Sequence, residues 1–253
     1  MASARNGTWP RHEAGAVLLG VVSTVTVLAV LLGGGLAAET HARPVLDGDA
    51  GYAFLHVDAV SGRPARFDPC EPIRYVINPR GAPPGAVDDV HEAFARTALA
   101  SGLEFAFVGQ PDERPGPRRP AYQPGRYGDV WAPVLVAWAD LSALPTGHRG
   151  DVLGLATHTV MDHPSRQDVV VTGAITLATD GPAVRPGFGY GRRWGNVALH
   201  EIGHLVGLDH VDERGSVMHP AAGYTTGAWS SGDLRGLMHV GADAGCLRVP
   251  RPR

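Results

Sequence analysis

The stretch His200-Glu201-Ile202-Gly203-His204-Leu205-Val206-Gly207-Leu208-Asp209-His210 constrains this chain more than any other. His200 and His204 are four residues apart, so on a helix their rings lie on one face, about one turn apart. Two imidazoles so placed can hold two corners of a zinc tetrahedron, with Zn–N of about 2.0–2.1 Å. Gly207 can enter the left-handed region without a Cβ clash, which ends the helix and turns the chain back. His210 then arrives as a third ligand, and the fourth position is left for water. Glu201 adjoins the first ligand and can act as general base toward that water. The whole pattern arises by chance about once in ten thousand chains of this composition, so accidental histidines do not explain it. A purely structural zinc is the competing reading. It calls for a fourth protein ligand, often Cys, and leaves Glu201 without a task.

The rest of the 253-residue chain bounds where such a site can sit. Ala14–Ala38 carries no charged residue and follows Arg5 and Arg11. Its most apolar part, Ala16–Leu32, is longer than the usual core of a signal peptide and short for a membrane span. The expected layout is a cytoplasmic N-terminus at 1–13, a signal-anchor at 14–38, a stem at 39–65, one catalytic domain at 66–248 and a tail at 249–253. That layout anchors the protein in the cell membrane by a single pass, with the domain outside. The alternative is secretion after cleavage near Leu36-Ala37-Ala38. Net charge is −3, so no basic field calls for nucleic acid. All 22 basic residues are arginine, which excludes lysine chemistry. A monomer is expected.

Ile73–Asn78, Leu103–Val108 and Val134–Trp138 read as strands, the last as central because it is continuously apolar. Val169–Val171 and Ala174–Thr179 are further strands. Pro84–Ser101 reads as a helix with Val87, Val90, Phe94, Ala98 and Leu99 at helical spacing and Gly102 at its end. Arg193–Val206 is the second helix, with Trp194, Ala198, Ile202 and Leu205 facing the core. Ser231–Val240 is the third, capped by Ser230 or Ser231. Gln110–Pro133 and Gly181–Gly195 read as long surface loops. The order of elements indicates an α+β domain.

The zinc motif, followed by Met218 in Gly215-Ser216-Val217-Met218-His219-Pro220, resembles the metzincin clan and, within it, the matrixins. Pro69–Pro79 is similar to the opening of matrixin-like proteins of high-GC bacteria. The resemblance implies a zincin-like metzincin catalytic domain: a twisted mixed β-sheet over an active-site helix, a Met-turn with Met218 beneath the metal, and a C-terminal helix. It implies a zinc metalloendopeptidase acting on polypeptide, with His200, His204 and His210 as ligands and Glu201 as base. Pro220 and Tyr224 would belong to the substrate pocket, and the peptide would pair with Ala174–Thr179 as an edge strand. The rival from another class is a non-catalytic surface binding module on the same scaffold. No prodomain switch motif is present. His148, Asp151, His158 and His163 lie where animal matrixins bind a structural zinc, but the spacing differs. One catalytic zinc is therefore expected, with no second zinc or calcium, and these histidines default to solvated or capping roles. For Asp233 a contact to the Met-turn competes with the simpler role of an acid at its own helix N-terminus.

Cys70 and Cys246 are the only cysteines, near the two ends of the domain. In an exported chain they are expected to form a disulfide. The alternatives are two free thiols, or Cys70 as a thiolate on the zinc.

Overall fold

The computed structural model describes residues 22–28, 51–116, 118–143, 152–162, 167–180 and 183–252. In chain order the elements are β1 (Val22–Leu28), β2 (Ala53–Phe54), β3 (Ile73–Asn78), α1 (Ala86–Ser101), β4 (Phe105–Phe107), α2 (Pro124–Tyr127), β5 (Val134–Ala139), β6 (Gly154–Met161), β7 (Val169–Ala178), α3 (Trp194–Val206), β8 (Leu208–Asp209) and α4 (Ser231–Val240). The main sheet runs β1-β6-β7-β5-β3-β4. From Ile73 onward it is a five-stranded mixed sheet, parallel except for β6, which is antiparallel to β7. Helices α1 and α3 pack together on one face of this sheet. This α/β arrangement fits a zincin-like fold.

The apolar runs behave as their patterns require. Val134–Ala139 is central, between β3 and β7, and is buried along nearly its whole length. Val169–Ala178 is one continuous strand with all ten residues buried. Ala174–Thr179 is therefore not an edge: β5 covers one side of β7 and β6 the other. The outer strand of the five is β6, and β1 pairs antiparallel along it from Val22↔Met161 to Leu28↔Leu155.

Helix α1 begins at Ala86 and ends at Gly102, which adopts φ 69° and donates its N–H to Ala98 O. Its buried face is Ala86, Val90, Ala93, Phe94 and Thr97, whereas Leu99 is 90% exposed. Helix α3 is buried at every position. Such a helix has no solvated face to stabilise, and it lies inside the core rather than on its surface. Ile202 and Leu205 are fully buried, each contributing about 1.5–3 kcal/mol by removal from water.

Two regions are more ordered than their composition implied. Residues 51–65, expected as stem, belong to the packed domain: β2 pairs with β8, and Phe54 and Ala65 are core residues. Residues 39–50 lie outside the described residues. Within Gln110–Pro133, Arg119 ion-pairs with Glu113 at 2.8 Å and donates to Pro133 O and Gly173 O. Tyr127 donates to Glu113 at 2.5 Å, and burial beside that carboxylate pushes the phenol up to about 12. Tyr127 also packs on Val76, Leu135, Ala137 and Ala174, so this loop covers part of the sheet.

Of the expected signal-anchor, residues 14–21 and 29–38 lie outside the described residues. Its described part, β1, is a strand and not a helix. Among the described residues no helix is long and apolar enough to cross a membrane.

Cys70 and Cys246 are disulfide-bonded, which removes Cys70 as a metal thiolate. Asp68 Oδ1 accepts from the N–H groups of Cys70 and Leu247 and so holds both ends of the bridge. Replacing either cysteine by serine should lower stability by up to about 5 kcal/mol, because the closed loop is long. Denaturant titration of the full chain with and without the substitution measures this, and non-reducing peptide mapping should recover the two cysteines as one linked pair.

Candidate metal centre

His200 and His204 project from α3 as the four-residue spacing requires, and both are buried. Gly207 ends the helix at φ 116° and donates to Gly203 O and His204 O. A Cβ there would sit 2.9 Å from Ala65 O, so glycine is required both by its conformation and by the space. The chain then reverses through β8 and brings His210 back over the helix. His210 Nε2 lies 3.2 Å from His200 Nε2 and 3.1 Å from His204 Nε2.

These short distances are not hydrogen bonds in series. His200 Nδ1 donates to Val217 O at 2.6 Å, and His204 Nδ1 donates to Leu208 O at 2.8 Å. With Nδ1 carrying the proton, each Nε2 presents a lone pair. His210 can donate to one of them at most, so at least one close pair is lone pair against lone pair. A cation at their common centre removes the conflict. Zinc with Zn–N of about 2.0–2.1 Å in a tetrahedron sets N···N near ~3.3 Å, close to what the rings show. Burial holds His200 down to about 4, and burial with the two neighbouring histidines holds His204 well below its usual value. Both are therefore neutral at neutral pH, the form in which an imidazole can hold a metal. Among the described residues the one other metal-like group is Asp68, Cys70 and Cys246, which is the disulfide and its cap.

Glu201 lies on the sheet-facing side of α3, one turn before Leu205, and reaches β6 where Leu205 reaches β7. It is fully buried, and a Cβ on Gly154 would lie 2.6 Å from its Oε1. Neither carboxylate oxygen has a hydrogen bond of good geometry. Burial raises its pKa well above the usual range, and the nearby backbone of Ala156 opposes this only in part. Glu201 is thus a buried carboxyl group with a raised proton affinity, held one residue from His200.

The turn after His210 supports the site from below. Val211 N donates to Met218 O, and Met218 is buried with its sulfur against Gly203, where a Cβ would clash. Asp233 on α4 accepts from Ser216 Oγ at 2.6 Å, from Val217 N at 2.8 Å and from Ser230 N at 2.8 Å. The two readings of Asp233 are therefore both realised: it completes a capping box with Ser230 and it fixes the turn. The peptide that Asp233 holds by its N–H is joined to the carbonyl that orients His200.

The matrixin peptidase family model matches residues 186–239. No curated protein matches the chain. The family match spans the loop before α3, the zinc-motif helix and turn, and most of α4. It supports a matrixin-like metzincin and, at the level of the family, a zinc metallopeptidase with polypeptide substrates.

The remaining sequence candidates fall outside the histidine cluster. Tyr224 is 48% exposed and stacks edge-on to His219, with the Arg214 guanidinium 5.2 Å over its ring. Pro220 is half-buried on the same turn. His148, Asp151 and His163 lie outside the described residues. His158 is neither solvated nor a cap: it is buried in β6 and hydrogen-bonds the backbone of His204. Asn196, which sequence reading passed over, clasps the loop before α3 through Gly189 N, Gly189 O and Gly191 O. A polar residue in the first turn of a buried helix was the available signal for it.

Metal-free protein should lose stability as pH falls from about 6.5 toward about 4. In that window the unfolded chain protonates histidines such as His200 while the folded chain, with its value near 4, does not. Melting temperature against pH after chelation checks this; a flat profile over that range would show that these rings are not buried neutral.

Proposed function

We propose that this chain is a zinc-dependent metalloendopeptidase in which His200, His204 and His210 hold the metal and Glu201 is the general base. The observation that carries this reading is the meeting of three Nε2 atoms, two of them fixed as lone pairs by Nδ1–H bonds to Val217 O and Leu208 O. When bound, zinc would polarise a substrate carbonyl and acidify a water. Glu201 takes the proton of the attacking water on its free carboxylate and passes it to the leaving amine. The segment Gly215–Pro220 acts as a Met-turn, a packed platform beneath the metal that His200 leans on through Val217 O.

An extended substrate would add to the sheet edge beside Glu201. In the five-stranded sheet that edge is β6, whose Gly154 abuts the carboxylate; β1 occupies it in this structure, so a substrate strand would take the place of β1. Pro220 and Tyr224, on the turn that follows Met218, would bound the pocket for the residue after the scissile bond. The disulfide and the uncharged stretch 14–38 favour a working place outside the cytoplasm. A non-catalytic binding module is the less favoured alternative, because ligands and base are all retained.

The full chain should carry one zinc per molecule, and His204→Ala should abolish it; elemental analysis decides, and metal-free wild type would sink the assignment. Glu201→Ala should keep the zinc yet slow peptide hydrolysis by at least about a hundredfold. Wild-type turnover of a peptide library by that variant would mean that another group carries the proton.

A further inference from the structure

His158 stands out among the buried groups that the proposed chemistry does not use. It sits in the middle of β6, 2% exposed, opposite Gly173 of β7. Its Nε2 is buried with no partner, so the hydrogen bond to the backbone of His204 is made by Nδ1. The acceptor is the His204 carbonyl, so Nδ1 carries the proton. That carbonyl also accepts from Gly207 N at 3.0 Å. The approach is close: a Cβ on Gly173 would lie 2.5 Å from both Leu205 Cδ1 and Thr157 O, so sheet and helix have no slack at this point. The ladder between β6 and β7 shifts register just after His158, between Thr159 and Val160.

We propose that His158 is a positioning residue for the metal centre: its Nδ1–H ties the edge strand to the main chain of His204 and so fixes where that ligand stands. This rests on reading the three histidines as a metal site. Three partners then hold His204, with Gly207 N and His158 on its carbonyl and Leu208 O on its ring. The same strand meets Glu201 at Gly154, so His158 also sets the separation between the edge strand and the base. A leucine at 158 would fill the space without donating. An asparagine places its amide N–H close to where Nδ1–H stands.

The test uses the full chain and zinc itself, titrated against a competing chelator at a temperature where every variant is folded. His158→Leu should bind zinc about three- to tenfold more weakly, less than the loss for partners that bond a ligand ring directly. His158→Asn should stay within about twofold of wild type, and the visible spectrum of the cobalt-substituted protein should change in the leucine variant alone. A merely structural role would lower the melting temperature of both variants and leave affinity and spectrum unmoved. Equal affinity in all three proteins, or equal weakening in both variants, overturns the inference. Should His158→Leu not fold, nitrogen-15 spectra of the wild type decide: a protonated Nε2 on His158 refutes it, and a slowly exchanging Nδ1–H supports it. Wild type that binds no zinc sinks the metal reading itself, which is a different outcome from zinc bound alike by every variant.

Discussion

Three imidazole nitrogens, that of His210 within about hydrogen-bond distance of the other two and with too few protons to share, are the constraint around which this domain is arranged. Left alone, such a cluster relaxes by swinging a ring away or by taking up a proton. Neither route is open to His200 or His204. Carbonyls of Val217 and Leu208 lock the tautomers of His200 and His204, and burial makes protonation expensive. The remaining freedom lies in the backbone, and it is removed from several sides: by the cap at Gly207, by the β2–β8 pairing that carries His210 back, and by Asp233 beneath the turn. The unusual feature of α3, burial at every position, follows from this. A helix that must be gripped all round cannot keep a solvated face.

How much of this was legible beforehand depended on whether an element's pattern comes from its own burial or from its neighbour's shape. The zinc-motif stretch was legible because ligand spacing on a helix is fixed by the helix period alone. β5 was legible because a strand covered on both sides is apolar throughout. β6 was not read as a strand at all. Its sequence, GLATHTVM, puts glycine, alanine and histidine among the residues that meet α3, since Gly154 must admit Glu201 and His158 must reach His204. Contacts with α3, and not strand propensity, account for these residues. The resemblance implies an edge strand at Ala174–Thr179, and without β6 no sequence signal shows that β7 is covered on both sides. The end of α1 failed for the opposite reason. Leu99 fits the apolar spacing, yet the helix turns its Ala93, Thr97 and Ser101 side inward, and two of those are polar residues that bond back to the carbonyls four residues earlier.

Asp233 shows a different limit. A lone acid in the first turn of a helix has a sufficient local explanation, and nothing in its neighbours reveals that the carboxylate has a second task. The second partner comes from a turn 16 residues earlier in the chain, and only the docking of α4 brings them together. Ser216 completes the link by donating to Asp233 and accepting from Met218 N. A short chain of bonds thus runs from a helix cap through one residue, Val217, to the ring of His200.

The base is tuned by two opposing influences that share one geometry. Closing β6 over Glu201 removes water and partners from the carboxylate, which raises its hold on a proton. A cation held by the adjoining histidines acts in the reverse direction, because a nearby positive charge favours the ionised form. A base that must first accept a proton and then release it works best between those extremes. The small residues make that balance attainable. Side chains at Gly154, Gly173 and Gly203 would each collide with Glu201, Leu205 or Met218, so the absence of a Cβ at these points lets strand, helix and turn approach until the carboxylate is enclosed and the ligands converge. On the proposed reading, close packing around α3 and the proton affinity of Glu201 are two consequences of one choice of residues, and widening the gap at any of the three glycines would change both together.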